Sequence, residues 1–148
     1  MYHMNAYSEL DVSQIERYAQ YLIRIGVKGV FILGTTGEGY SLTLEEKIQL
    51  LEAWRHALDQ NNNKLIAIVN ISSTVVSEVM KLGQVVEQLV FDGTALLPPI
   101  YYTAPTVDHL VRYIKHILDR GAPNTPFLYY HIPSFTGELK CKKNLILI

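Results

Sequence analysis

Apolar residues along this chain change period at regular intervals. Between Asp11 and Ile25 they recur at Ile15, Ala19, Leu22 and Ile23, one face of a helix, and Gly26 stands where a helix-ending glycine belongs. Residues 29–33 then run apolar without a break, as a strand buried on both faces does. Thr43, with Glu46 three residues on, forms a capping-box signature ahead of a helix that buries Leu44, Ile48, Leu51 and Leu58, with Trp54 nearby. Asn61-Asn62-Asn63 makes a loop, and residues 65–69 a second strand. Ser73 or Thr74 is expected to cap the next helix, whose face carries Val75, Val79, Leu82, Val86 and Leu89. Residues 94–97 give a third strand, ended by Pro98-Pro99. Thr106 caps a helix carrying Val107, Leu110, Val111, Ile114 and Leu118, and residues 127–131 form the last clear strand.

The predicted order is α-β-α-β-α-β-α-β, opening on a helix. Strands that alternate with helices through short loops imply right-handed crossovers and a parallel sheet. Two α/β architectures satisfy this: an open doubly wound sheet, or part of a (β/α)8 TIM barrel. A whole barrel needs about 250 residues, so 148 residues supply about half of one. In both architectures functional groups gather at the C-terminal ends of the strands. Those ends are residues 34–39, 70–73, 98–102 and 130–136. No internal repeat, low-complexity tract or linker divides the chain, so residues 1–148 are read as a single domain.

Composition narrows the function classes. Apolar residues make up 49% and charged residues 18%, and the formal net charge is −1, so the chain is globular and carries no basic field for nucleic acid. No apolar run approaches the ~20 residues of a membrane span, and the N-terminus lacks the pattern of a signal peptide. A lone cysteine, Cys141, excludes an internal disulfide and suits a reducing, cytoplasmic compartment. Asn70-Ile71-Ser72 matches a glycosylation sequon and is set aside for want of a secretion signal.

Three groups of residues suggest chemistry. Gly34-Thr35-Thr36-Gly37-Glu38-Gly39 follows a strand and precedes a helix. Glycines there let backbone N–H groups approach a ligand and threonines add hydroxyl donors, so the turn suits a small anion such as a carboxylate, or is simply a tight connection. It matches neither a nucleotide-triphosphate loop nor Gly-x-Gly-x-x-Gly. Tyr129 and Tyr130 alternate across the last strand, so one can face a given side, where a hydroxyl can relay a proton. Pro98-Pro99-Ile100-Tyr101-Tyr102 raises the same choice more weakly. The five histidines form no metal pattern, and no Gly-x-Ser-x-Gly elbow is present.

The turn Gly34-Thr35-Thr36-Gly37-Glu38 and the segment Tyr130-His131-Ile132-Pro133, taken together, resemble the signatures of the N-acetylneuraminate lyase and dihydrodipicolinate synthase family, pyruvate-handling class I aldolases on a (β/α)8 barrel. The resemblance runs from about Tyr7 to Gly137. Gly37-Glu38-Gly39-Tyr40-Ser41-Leu42 and Tyr129-Tyr130-His131-Ile132-Pro133 are most similar to the animal lyase branch. Ser134-Phe135-Thr136-Gly137 offers Phe135 where the synthase branch typically has an arginine that binds a dicarboxylate.

The resemblance implies a role for each matching position. Thr35 and Thr36 hold the pyruvate carboxylate, Tyr130 relays the proton during carbon–carbon cleavage, and Tyr102 stands beside the catalytic tyrosine in some members. The implied substrates are sialic acid and pyruvate, with no cofactor or metal, and the family's habit is a homotetramer. Its mechanism needs a Schiff-base lysine on the sixth barrel strand. The chain is expected to hold strands two to five with flanking helices, and to end before that strand in a divergent tail, residues 138–148. Lys28 and Lys64 precede their strands, Lys47, Lys81 and Lys115 fall on helices, and Lys140, Lys142 and Lys143 cluster in the tail. The catalytic lysine is therefore expected to be absent, leaving a fragment that is inactive alone, a non-catalytic associate of full-length barrels, or part of another pyruvate-dependent aldolase.

Overall fold

The structure, a computed structural model, describes residues 10–137 and the backbone of residues 3–4. The divergent tail, with Cys141 and its three lysines, lies outside the described residues. A short antiparallel pair, β1 (His3–Met4) with β2 (Leu10–Asp11), precedes the first helix, so the described chain opens on a strand pair and not on a helix. Two residues per strand carry no period, which is why the apolar pattern does not reveal them.

Then follow α1 (Ile15–Arg24), β3 (Gly29–Ile32), a 3-10 turn at Gly39–Ser41, α2 (Leu44–Gln60), β4 (Ile66–Asn70), α3 (Val76–Gln88), β5 (Gly93–Leu96), α4 (Val107–Gly121), β6 (Phe127–Tyr129) and the single turn α5 (Pro133–Thr136). The Thr43 hydroxyl accepts from the Glu46 N–H while the Glu46 carboxylate accepts from the Thr43 N–H, the reciprocal box expected of that sequence. At α3 the expectation fails. Val75 is the N-cap and contributes no side-chain bond. The Ser73 hydroxyl instead accepts from the Val75 N–H and donates to Glu78, a local turn that competes with capping.

Strands β3 to β6 form one parallel sheet in sequence order, β3-β4-β5-β6. A doubly wound sheet reverses strand order at a switch point and carries helices on both faces. Here the order never reverses, and each of α1 to α4 packs against the next. Right-handed crossovers of unreversed order set all the helices on one face. The sheet is therefore an arc of a (β/α)8 barrel, which decides between the two architectures.

Register assigns the two faces. Ile32, Ala67, Val69 and Leu96 join Leu51, Leu58, Leu82, Val86 and Ile117 of the helices in the core. Phe31, Ile68 and Leu128 alternate with them on the concave face. The arc is strongly curled: the rings of Phe31, on the first strand of the sheet, and Tyr130, just past the last, meet edge-on with centroids 4.9 Å apart. In a flat sheet those strands would stand about 14 Å apart, three strand spacings.

Candidate active site at the strand mouths

The first and last parallel strands release their chains toward each other. Leu33 leaves β3 in the left-handed region, with φ 59°, and turns the chain into residues 34–39. Phe31 folds its ring back over Gly34, where a Cβ would stand 2.6 Å from a ring carbon. The turn closes through Glu38 N–H to the Thr35 carbonyl at 3.0 Å and Gly39 N–H to the Gly34 carbonyl at 3.4 Å. Among the described residues no hydrogen bond engages the backbone N–H groups of Thr36 and Gly37, which leaves two donors for an anion.

Ninety-five residues further on, Tyr130 leaves β6, its N–H still on the ladder to the Leu96 carbonyl. Its hydroxyl lies 3.1 Å from Thr35 Oγ1, so the two sequence motifs meet directly. Alternation decides between the tyrosines: Tyr129 packs against the helix-side core, and Tyr130 faces the concave side. Just beyond, Pro133 starts α5, and Gly137 ends it with φ 68°.

The two threonines diverge. Thr35 borders a cavity of about 290 Å³ at the mouth, walled by Tyr40, Leu97, Ile100, Ile132 and Phe135. Thr36 borders a different space, a groove of about 590 Å³ along the β3 edge beside Tyr18, Val30 and Trp54. Tyr102 is not brought to the pair: it is 84% exposed and packs edge-on against Tyr101. Phe135 stands at the mouth, 69% exposed.

No described lysine reaches this mouth. Lys28 and Lys64 precede β3 and β4, and Lys81 and Lys115 ride on helices. Lys47 lies on α2 as expected but is 4% exposed, a burial that the helical pattern does not announce. Loss of solvent holds its ammonium below the ordinary lysine range, and the nearby Glu78 carboxylate partly restores it. Among the described residues no three His, Cys, Asp or Glu side chains gather as metal ligands, and no helix is long and apolar enough to cross a membrane.

Two site residues escape a reading of the sequence. Asn70 and Ser72, buried at 3% and 5%, form a hydrogen-bonded link between the mouths of β3, β4 and β5. The one signal was two small polar side chains at the end of an apolar strand, where burial demands partners. Tyr40 walls the mouth cavity beside this link. Burial pushes its phenol up to about 12 against the lowering influence of the Ser72 hydroxyl, with Tyr113 adding to the rise.

The chain resembles known proteins in sequence and in fold. The chain is 36% identical over 136 residues to N-acetylneuraminate lyase of Sus scrofa, covering 90% of this chain and 41% of the relative. A catalytic lysine mutant of the Ruminococcus gnavus sialic acid aldolase superposes with a TM-score of 0.83 at 27% identity, over 91% of this chain and 43% of that one. The E. coli K12 prophage protein YagE, of the dihydrodipicolinic acid synthase family and solved in complex with pyruvate, gives a TM-score of 0.80 at 26% identity, over 90% and 43%. The chain thus spans about two fifths of the length of the proteins it matches. The Dihydrodipicolinate synthetase family profile matches residues 1–142, and the chain belongs to that family of aldolase-type barrels.

Proposed function

We propose that this chain supplies the carboxylate-holding and proton-relaying part of an N-acetylneuraminate lyase, which cleaves N-acetylneuraminate to N-acetylmannosamine and pyruvate. The contact between Thr35 Oγ1 and the Tyr130 hydroxyl at 3.1 Å carries the reading. A hydroxyl pair at a strand mouth, beside two backbone N–H groups without internal partners, suits a 2-oxo acid. Thr35 holds its carboxylate through its hydroxyl, and Thr36, which borders the neighbouring groove, contributes its backbone N–H. Tyr130, oriented by Thr35, relays the proton that leaves the substrate hydroxyl as the carbon–carbon bond breaks. Tyr102 stays at the rim as a weaker contributor.

Retro-aldol cleavage also needs a lysine whose imine draws off the electron pair of the breaking bond. None of the described lysines stands at a strand mouth, so in this reading the nucleophile belongs to a strand beyond this span and no other cofactor is required. The whole assembly is read as a cytoplasmic homotetramer. Phe135 at the mouth supplies no cation for a second carboxylate, which favours the lyase over the synthase. Borohydride with pyruvate is the test. The 148-residue chain traps no covalent adduct, whereas a polypeptide extended to the length of its relatives traps one; an adduct on the shorter chain overturns the assignment of the lysine.

A second reading rests on the open concave face, where Phe31 is 42% and Ile66 58% exposed. Such a surface favours a non-catalytic role in which the chain associates with full-length barrels. Independent elution of the two co-expressed chains on size exclusion would remove it.

A further inference from the structure

We infer that Asn70 and Ser72 are positioning residues that hold Leu33 in its left-handed conformation and thereby aim Thr35 at Tyr130. The ligand in this inference is the 2-oxo acid of the proposed function; the conformational part stands without it.

Leucine does not adopt a positive φ unaided, because its Cβ crowds the backbone. Leu33 does so at 4% exposure, so its surroundings hold it there. Asn70 Nδ2 donates to the Leu33 carbonyl at 2.8 Å. Asn70 Oδ1 accepts from the Ser72 N–H at 3.3 Å and from the Ser72 hydroxyl at 2.6 Å. The Ser72 oxygen in turn accepts from the Leu97 N–H at 2.8 Å. Both ends of the relay admit one polarity. A backbone N–H only donates and a carbonyl only accepts, so the amide orientation of Asn70 is determined and an ionised aspartate cannot replace it.

The other side of the Leu33 peptide is closed by Gly39, where any Cβ would collide with the Leu33 carbonyl. Clamped between Asn70 and Gly39, Leu33 sets the exit direction of the turn. Thr35, two residues on, meets Tyr130 because of that direction. The relay thus connects the mouths of three adjacent strands to the turn that carries Thr35.

Glycine provides the test, since it takes positive φ without help. Pyruvate affinity is measured by NMR from the Thr35 and Thr36 amide signals, and the Leu33 backbone from its Cα and Cβ carbon shifts. Asn70→Ala is expected to weaken pyruvate about tenfold and to move the Leu33 shifts out of the left-handed range. Adding Leu33→Gly to Asn70→Ala is expected to restore affinity to within about threefold of wild type, even though the double variant melts lower for the loss of a buried side chain. A purely structural relay predicts lower stability and no recovery. Wild-type affinity with unchanged Leu33 shifts in Asn70→Ala overturns the inference, as does a folded double variant that stays weak. Should Asn70→Ala not fold, Ser72→Ala, which keeps the Asn70 bond to Leu33, is expected to show a smaller shift of the same sign, and no shift overturns the inference. If wild type shows no pyruvate response, the proposed function fails and the Leu33 shifts alone decide the relay.

Discussion

On the helix-covered side of the sheet Ala67, Val69 and Thr94 are fully buried and Leu96 keeps 1% of its exposure, while on the concave side Phe31 keeps 42% and Ile66 58%. Both sides belong to the same four strands and both are apolar. The convex side spends its side chains on sealing: each sheet residue meets the stripe of a helix, and one continuous core results. The concave side uses them for placement. Phe31 folds over Gly34 and gives its edge to Tyr130, and Tyr130 reaches Thr35. Folding stability should thus concentrate on one side and chemistry on the other.

The largest expected difference tests that division directly. Leu82, fully buried on α3, should cost about 2–5 kcal/mol when cut to alanine, because the cavity left behind adds to the lost burial. Ile66→Ala, on the concave side, should stay within about 0.5 kcal/mol, as exposed positions do. Urea midpoints at equal slope give both values. Comparable losses would mean that something covers the concave side in solution, and would break the comparison.

Next in size come two hydroxyl-bearing residues from opposite layers. Thr43→Ala removes the capping box of the longest helix and should cost about 1 kcal/mol. Tyr130→Phe removes one partly exposed hydrogen bond and should cost about 0.5 kcal/mol, yet it should abolish the pyruvate response of the Thr35 amide. Thermal melts with and without pyruvate separate the two. A large stability loss in Tyr130→Phe would make the tyrosine a structural residue and remove it from the chemistry.

Much of this was legible in the sequence, and what was not has definite physical causes. Strand and helix order follows from period alone, because each element buries one face or both. The Thr43 box was readable because both of its partners lie within four residues. The meeting of Thr35 with Tyr130 was not derivable from pattern: it depends on the curl of a four-stranded arc, and only resemblance to a family proposed the two together. Ser73 misled because a serine near a helix start can serve its own turn instead of the cap. Asn70 and Ser72 resembled a surface sequon, although the strand that carries them ends in the interior. Thr36 was paired with Thr35 by the family resemblance alone, and pattern does not reveal that the two border different cavities.

Lys47 sharpens the comparison with the smallest effect, since it is the one charged side chain among the described residues that the structure buries. It lies in the sealed helix layer, where a charge gains least. Desolvation lowers its folded pKa below the ordinary 10.5, with Glu78 opposing. Below that lowered value both the folded and the unfolded chain carry the proton, and the cost of the buried ammonium is present in full. Between the lowered value and 10.5 the unfolded chain binds more proton, so stability rises with pH. Tyr40 acts in the opposite sense. With its phenol raised from 10.0 to about 12, the folded chain holds the extra proton, and stability falls as pH climbs above 10. Above pH 10 Tyr40, and Tyr113 whose phenol burial also raises, oppose the rise due to Lys47. Lys47→Met keeps the apolar stem and removes the charge, while Glu78 retains its bond from Ser73. The variant should gain up to about 1 kcal/mol at pH 7 and lose the alkaline rise. Urea midpoints taken from pH 7 to pH 10 measure both. A variant less stable than wild type at pH 7, with the rise intact, would show that the ammonium finds enough compensation inside the helix layer, and that this layer tolerates polarity as readily as the mouth where Asn70 and Ser72 are buried.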